Sequence, residues 1–177
     1  MYGEPINKVD DPKFLGIRFD PYMSGTNQIK HLRKACGERL SIIKTLAHKS
    51  WNLDTKTLLN VYKSLVRSLL DYSSFLYGNL SFANKQSLQS IQNTALRLIL
   101  RKKREDGSDV LHEIAKIEPL EIRMKNLMER YTEKAECNLN PLISDLIDDY
   151  SELRSEYQLE STTVLCGISY VVDLLGN

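Results

Sequence analysis

Residues 58–72, LLNVYKSLVRSLLDY, place large apolar side chains on most sides of a helical wheel. A helix of this kind needs other elements against several of its sides, so the stretch predicts the central helix of a bundle. Asp54 is a suitable N-cap ahead of Thr55, and Gly78 is a natural residue for a helix to stop at. We therefore expect this helix to run from Thr55 to about Tyr77.

Two amphipathic segments flank the central one. Residues 27–48 collect apolar side chains on one broad arc of the wheel and most of their cations on the other side. The cations of that polar side are Lys30, Arg33, Lys34 and Lys44. Arg39 falls inside the apolar arc, so we expect its stem to pack while its guanidinium group reaches a carboxylate or a carbonyl. Residues 83–101 form the third helix, whose predicted buried stripe is Leu88, Ile91, Ala95, Leu98 and Ile99.

The first 25 residues have the pattern of a β-hairpin. Residues 6–9 and 13–19 are interpreted as short strands around a polar turn at residues 10–12. Gly16 lies in the second strand, where it permits a bulge or a close backbone approach. A lone hairpin is marginal in water, so it needs a larger sheet or the helices behind it for support.

Beyond the third helix the charge of the sequence changes sign. The helix ends in a run of four cations, Arg101–Arg104, which suits the negative end of a helix dipole. Further helices are expected at residues 109–116, 120–136 and 141–157, and the apolar, β-branched residues 162–175 are interpreted as a strand or a poorly ordered tail. The predicted fold class is mainly α: a short N-terminal β-hairpin, a three-helix bundle and further C-terminal helices.

The net charge of +1 hides a strong asymmetry between the two halves of the chain. Residues 1–104 contain 18 Lys and Arg against 7 Asp and Glu, a net charge of +11. Residues 105–177 contain 6 against 16, a net charge of −10. An asymmetry of this size indicates a polyanionic partner for the first half.

Several classes of protein do not fit the sequence. The start has neither the basic nor the apolar region of a signal peptide, and the apolar run at 164–175 is short and contains Asp173. The three cysteines, Cys36, Cys137 and Cys166, are too far apart to indicate a zinc site or a disulfide framework. We expect an intracellular protein, nuclear or cytoplasmic, with reduced thiols, no membrane association and no metal.

No motif of a catalytic site is found in the sequence. The patterns GxGxxG, GxxxxGK[ST], HExxH and GxSxG are all absent. Two acidic pairs are of the residue type that holds Mg²⁺ in polymerases, but Asp10 and Asp11 precede Pro12 in a turn, where Asp is common for backbone reasons. Asp148 and Asp149 lie in an acidic segment that would repel nucleic acid. We therefore expect no catalytic residue and no cofactor in this chain.

The cations of the first half are the best candidates for a functional surface. Cations spaced three or four residues apart on a helix can follow a nucleic-acid backbone, although such faces are also common as plain solvated surfaces. If the three helices pack as a bundle, the cations could form one patch. The candidates are Lys30, Arg33, Lys34, Lys44, Lys63, Arg67, Arg101, Lys102, Lys103 and Arg104.

Five short stretches resemble reverse transcriptases of non-LTR retrotransposons, most closely the jockey-like, LINE-type elements. Residues 13–20, KFLGIRFD, are similar to the family's "FLG…D" strand. Residues 58–72 resemble its "LYKALVRPVLEYG" helix, and residues 77–79, YGN, its "WGN" with Tyr in place of Trp. Residues 91–99, IQNTALRLI, and 119–123, PLEIR, are similar to its "QNKALRLI" and "PLEIR". The stretches occur in the family's order and spacing.

The resemblance implies the C-terminal part of an RNA-directed DNA polymerase. Residues 1–25 would be the end of the palm with a primer-grip hairpin, residues 26–104 a helical thumb, and residues 105–177 an acidic, mostly helical segment. The family's metal-binding aspartates belong to the palm and precede these motifs. We therefore expect Mg²⁺ to be held by an upstream palm and fingers segment, and this chain alone to be inactive as a polymerase.

The resemblance also assigns roles to the hairpin and the thumb. The primer grip would place Phe14, Leu15 and Gly16 against the primer's 3′ end, with Gly16 permitting close approach of the backbone. The thumb would follow an RNA–DNA or DNA template–primer duplex through its phosphates, by shape and backbone contacts.

Two other hypotheses remain open from the sequence. The chain could be a helical protein-interaction module whose basic and acidic halves pair with each other or with a partner protein. A helix-turn-helix protein is a weaker third hypothesis, because no compact recognition helix starts with clustered Asn, Gln and Arg.

Overall fold

Helices account for most of the chain in the computed structural model, which describes residues 9–22, 24–78, 80–137, 140–143 and 145. A two-stranded antiparallel hairpin comes first and is followed by α-helices. In the described part these elements are β1 (Lys13–Phe14), β2 (Ile17–Arg18), α1 (Thr26–Leu46), α2 (Thr55–Tyr62), α3 (Ser68–Tyr72), α4 (Phe82–Leu100), α5 (Ser108–Ala115) and α6 (Leu120–Glu136). The predicted class, mainly α with a short N-terminal hairpin, is confirmed.

The central helical segment consists of α2, a π-helical turn at Lys63–Arg67, and α3. Asp54 caps its start, because its carboxylate accepts a hydrogen bond from the N–H of Thr57 at 3.4 Å. The fully buried apolar side chains of the segment are Leu58, Tyr62, Val66 and Leu70. Their spacing of four residues makes one continuous buried line, against which α1 and α4 pack.

The central segment ends earlier than the sequence pattern predicted. Helix α3 stops at Tyr72, and Ser74–Leu76 form a separate 3₁₀ turn. Ser73 is buried, and its hydroxyl accepts a hydrogen bond from Nε2 of Gln28 in α1 at 3.1 Å. Its backbone, at φ −96° and ψ 15°, has left the helical region. The prediction of a helix as far as Tyr77 is therefore wrong, because the α-helix ends at Tyr72, next to the contact of Ser73 with α1.

A backbone carbonyl in the π turn is the partner of Arg39, which lies on the apolar side of α1. Nη1 of Arg39 donates a hydrogen bond to the carbonyl oxygen of Leu65, which lies within the π turn. The prediction that Arg39 reaches a carboxylate or a carbonyl is confirmed, and the acceptor is a carbonyl.

Helices α1 and α4 pack side by side and run in the same direction. Helix α1 comes before the central segment and α4 after it, and a loop reverses the chain at each connection. The N-terminal ends of α1 and α4 meet where Gly25 lies against Leu80. The buried side chains are Ile29, Leu32, Cys36 and Ile43 on α1 and Leu88, Ala95, Leu96 and Ile99 on α4. Leu96 is fully buried and was absent from the predicted stripe, whereas the predicted Leu98 is half-buried.

The hairpin turns at a different place from the one predicted. Leu15 and Gly16 form the two-residue loop between β1 and β2, with φ values of 47° and 85°. Positive φ at both positions is the geometry of a tight type I′ turn, which a glycine makes accessible. Asp10 and Asp11 do form a bend, but the turn of the hairpin lies within the predicted second strand, 13–19. Val9 is not in a strand, and the other residues of the predicted strand 6–9 lie outside the described residues.

Helices, rather than a larger sheet, support the hairpin within the described part of the chain. The hydroxyl of Tyr72 donates to the carbonyl oxygen of Leu15 at 2.6 Å. The N–H of Arg18 donates to Oε1 of Gln28 at 3.0 Å, and the side chain of Ile17 is buried. The hairpin is therefore held at its tip by α3 and at its second strand by α1.

The predicted C-terminal helices are present as far as the structure describes the chain. Helices α5 and α6 lie within one residue of the predicted bounds, 109–116 and 120–136. Residues 141–143 are helical, but most of the predicted helix 141–157 lies outside the described residues, as do Asp148, Asp149 and Cys166. The predicted strand or tail at residues 162–175 also lies outside them.

Asp20 shapes the connection between the hairpin and α1. Its carboxylate is almost fully buried, and Oδ1 accepts hydrogen bonds from the N–H groups of Tyr22 at 3.2 Å and Ser24 at 3.0 Å. Burial acts to raise the pKa of this carboxyl, but the hydrogen bonds from Ser24, Gly25 and Tyr22 outweigh it and lower the pKa below its usual value.

We expect the contribution of Asp20 to stability to disappear in acid. A carboxyl whose pKa is lowered by folding stabilises the native state above its unfolded pKa, about 3.9, and this is lost as the pH falls through the lower folded value. Asp20→Asn should therefore unfold at lower urea than the wild type at pH 6, by about 1 kcal/mol, with a smaller difference at pH 3. A difference independent of pH would contradict this.

Two glycine-to-alanine changes at α1 should have opposite effects. Gly25 precedes α1 with φ 71°, and a Cβ there would lie 2.9 Å from Cδ2 of Leu80, so Gly25→Ala should destabilise the fold by about 1–3 kcal/mol. Gly37 lies inside α1 with no atom near its would-be Cβ, so Gly37→Ala should stabilise the fold by about 0.5–1 kcal/mol. Urea unfolding of the two variants checks the pair, and effects of the same sign would contradict it.

Candidate nucleic-acid interface

The solvent face of α1 carries the largest group of predicted contact residues. Lys30, Arg33, Lys34 and Lys44 are all exposed, because the opposite face of the helix is buried against α4 and the central segment. The first three of these cations lie within one turn of the helix, at spacings of three and four residues. Lys44 lies about 15 Å further along the axis. The face is a ridge of positive charge with its densest part near the hairpin.

The α1 cations have no acidic partner among the residues that the structure describes. Within the described residues, none of the four forms an ion pair, and Glu38 is the one acidic residue of α1. The acidic residues of α5 and α6 therefore form no ion pair with this face of α1 in the described structure. An unpaired ridge attracts polyanions more strongly than one already balanced by carboxylates.

The run of cations after α4 lies at the other end of the bundle. Arg101 caps α4 in the left-handed conformation, at φ 55°, and the side chains of Arg101–Arg104 are all exposed. The N–H of Lys103 donates to Oδ2 of Asp106 at 2.8 Å, which folds the run into a turn. Because α1 and α4 run in the same direction, this run lies at the end where Lys44 lies, away from Lys30. Lys30 and the run Arg101–Arg104 therefore lie toward opposite ends of the bundle.

Lys63 and Arg67 are one turn apart but have different environments. Lys63 is exposed, whereas Arg67 is 7% exposed and donates from Nη2 to Oε1 of Glu118 at 3.2 Å. Nε of Arg67 lies 3.8 Å from Oδ1 of Asp71. Arg123 completes the group by binding both carboxylates, with Nη2 2.8 Å from Asp71 and Nη1 3.5 Å from Glu118. The structure therefore places Arg67 in a closed ring of ion pairs.

The carboxylates in this ring keep Arg123 charged. The hydrogen bond that Arg123 donates to Asp71 is the largest influence and raises the pKa of the Arg123 guanidinium, with Glu118 adding to it. Glu118, Arg123 and their neighbour Lys116 were not among the contact residues predicted from the sequence. The spacing of Arg67 and Asp71 signals a helical ion pair, but partners about 50 positions away leave no local pattern.

A buried polar chain fixes the segment that carries Lys116 and Glu118. Gln92 of α4 is fully buried, accepts from the hydroxyl of Tyr62 at 3.1 Å, and donates to the carbonyl oxygen of Glu118 at 2.8 Å. A ring nitrogen of His112 lies 2.9 Å from the carbonyl oxygen of Ile117. Burial raises the pKa of Tyr62, so its hydroxyl stays protonated and remains a donor.

The tip of the hairpin presents apolar side chains to solvent. Phe14 is 65% and Leu15 73% exposed, next to Tyr72, which is 59% exposed. Gly16 is exposed at the same tip, so the three residues assigned to primer contact by resemblance lie together. Aromatic and aliphatic side chains at such a tip can stack on or pack against nucleobases.

No helix in the part of the chain that the structure describes combines the length and the apolar character needed to cross a bilayer. Among the same residues, His, Cys, Asp and Glu side chains nowhere form a group of three that could hold a metal ion. Cys36 is buried and Cys137 exposed, and both are free thiols.

The roles of the two cations in the central segment can be separated by matched variants. Arg67→Met should destabilise the fold by about 1–2 kcal/mol, because Asp71 and Glu118 each lose a partner in a largely buried ring. Lys63→Met, at an exposed position one turn earlier, should change stability by about 0.5 kcal/mol or less. Chemical unfolding measures both, and equal losses would contradict the different environments.

Comparison of the chain with protein-family models, with curated proteins and with solved structures gives no match. The resemblance to non-LTR reverse transcriptases therefore stays a prediction from the sequence.

Proposed function

We propose that this chain binds a template–primer duplex, RNA–DNA or DNA, as the primer-grip hairpin and thumb region of an RNA-directed DNA polymerase of the non-LTR retrotransposon type. In this proposal the catalytic palm motifs are not part of the chain, and its role is to hold the duplex. The observation that carries the proposal is the exposed α1 ridge, in which Lys30, Arg33 and Lys34 have no ion-pair partner within the described residues.

The chemistry of the ridge suits phosphates. Three cations within one helical turn match the regular negative charge of a nucleic-acid backbone, and each contact releases condensed counterions. Such binding is independent of base sequence and falls steeply with salt. The exposed hairpin tip lies near the same end of α1, since Arg18 bonds to Gln28 in its first turn, so phosphate contacts and base or primer contacts would be adjacent.

The protein-interaction hypothesis has one observation in its favour. The basic and acidic halves do meet, through Arg67 with Glu118 and Asp71 with Arg123. In the first pair the basic half supplies the cation, and in the second pair it supplies the carboxylate. Each half therefore contributes one positive and one negative charge, and its net charge is not neutralised by these pairs. Because the α1 ridge takes no part in them, we favour the duplex as its partner and keep the interaction module as the alternative.

Fluorescence anisotropy of the full chain with a labelled RNA–DNA hybrid tests the proposal. We expect the logarithm of the association constant to fall linearly with the logarithm of the salt concentration. The slope should be roughly −3 to −6, since each phosphate contact contributes about −0.9. The triple variant Lys30→Gln, Arg33→Gln and Lys34→Gln should weaken binding roughly 10- to 100-fold near 0.15 M salt and flatten the slope by up to about 3.

The matched control removes the same charge from α6. Lys125→Gln, Arg130→Gln and Lys134→Gln also replace two lysines and one arginine on a helix surface, and this variant should bind the hybrid as the wild type does. No binding by the wild type at low salt would overturn the proposal and favour the interaction module. Equal losses in the two triple variants would mean that binding follows total charge rather than the α1 ridge.

A further inference from the structure

A polar cleft of about 450 Å³ lies between the central helical segment and the start of α6. Its charged lining residues are Lys63, Arg67, Asp71, Lys116, Glu118 and Arg123. Three of them come from the basic half of the chain and three from the acidic half. The cleft is therefore created only when the two halves pack together.

The carboxylates of the cleft are already occupied. Asp71 and Glu118 each contact both Arg67 and Arg123, at N–O distances between 2.8 and 3.8 Å. The two carboxylates and two guanidinium groups form a closed ring with no net charge. The ring accordingly contributes a rigid, hydrogen-bonded wall rather than negative charge that would repel an anion.

The two lysines supply the net charge of the cleft. Lys63 and Lys116 are both exposed, and neither forms an ion pair within the described residues. With the ring neutral, the cleft has a charge of +2. Concave sites lined by one excess sign of charge concentrate counter-ions of the opposite sign.

The backbone at Lys116 is unusual for a lysine. Lys116 caps α5 in the left-handed conformation, at φ 51°, where glycine is the residue most often found. Lysine is less favourable than glycine in this conformation. Among the described residues, the Lys116 side chain forms no hydrogen bond or ion pair that would offset this cost. Replacing Lys116 by glycine therefore removes the charge and at the same time places a residue that favours this backbone conformation.

We propose that the cleft binds backbone phosphate of the duplex, with Lys63 and Lys116 contacting the phosphate oxygens. The inference rests on the proposed function and extends it, because Lys116 adds a phosphate contact from the acidic half of the chain. The net negative charge of that half would not predict such a contact. The ion-pair ring holds the two lysines' segments together and does not itself contact the ligand.

Two single variants test the cleft in the anisotropy assay with the labelled hybrid. Lys116→Gly and Lys63→Gln should each weaken binding roughly fivefold near 0.15 M salt and flatten the salt slope by about 1. Lys116→Gly should be at least as stable as the wild type in urea unfolding, since glycine suits the left-handed conformation, so loss of binding cannot be attributed to unfolding.

The control makes the same backbone change without removing charge. Asn52 is also left-handed, at φ 46°, and Asn52→Gly should leave binding and salt slope unchanged. Lysine acetylation followed by mass spectrometry gives a second measurement on the full chain. The hybrid should protect Lys63 and Lys116, whereas the exposed Lys134 of α6 should react equally with and without it.

The outcomes separate the cleft from the proposed function. If the wild type binds and the α1 triple variant loses affinity, but Lys63→Gln and Lys116→Gly bind like the wild type and both lysines stay reactive, the cleft inference is overturned and the duplex-binding function stands. If the cleft variants lose affinity and the α1 variant does not, the cleft is supported and the α1 ridge is not the main contact. If the wild type does not bind the hybrid at low salt, both proposals are overturned.

Discussion

A buried amide side chain, Gln92, constrains the way in which the two halves of this chain meet. An amide without solvent must find partners for its oxygen and its nitrogen, and leaving either unpaired costs about 1–3 kcal/mol. Gln92 meets this requirement with the hydroxyl of Tyr62 in the central segment and the carbonyl oxygen of Glu118 beyond α5. Both partners must therefore be held close to α4, and the start of α6 is fixed by the same contacts.

The ion-pair ring depends on that placement. The backbone of Glu118 is bonded to Gln92 while its carboxylate contacts Arg67, and Arg123, one turn into α6, contacts Asp71. The ring converts a cation predicted for phosphate contact into a partner for carboxylates, while it leaves Lys63, one turn earlier, exposed. Charge available to a ligand is thus set by packing between halves and not by the number of cations in a segment.

The π turn shows a second way in which packing determines the role of a charged residue. The carbonyl oxygen of Leu65, in the π turn, accepts a hydrogen bond from the guanidinium group of Arg39 on the apolar side of α1. Arg39 is therefore satisfied inside the bundle, and the remaining cations of α1 face solvent. The α1 ridge therefore consists of the cations of α1 that face solvent, and Arg39 is not part of it.

Local patterns in the sequence were sufficient to predict where most of the helices lie. The amphipathic period of α1, the apolar circumference of the central segment, the cap at Asp54 and the bounds of α5 and α6 all depend on residues within a few turns of one another. The exposure of Lys30, Arg33 and Lys34 follows from the same period. These features are local, and a single sequence contains the information for them.

Contacts between distant segments decided the rest. The hairpin turns at Leu15 and Gly16 beside Tyr72, and α3 ends where Ser73 meets Gln28. Arg67 is withdrawn into the ring by Glu118, 51 positions away, and Lys116 joins Lys63 in one cleft. No periodic pattern records such pairings, because they depend on which surfaces come together when the helices pack. The sequence by itself therefore determined which residues are cationic and which faces are apolar, and only the tertiary structure decided which cations are left for a ligand.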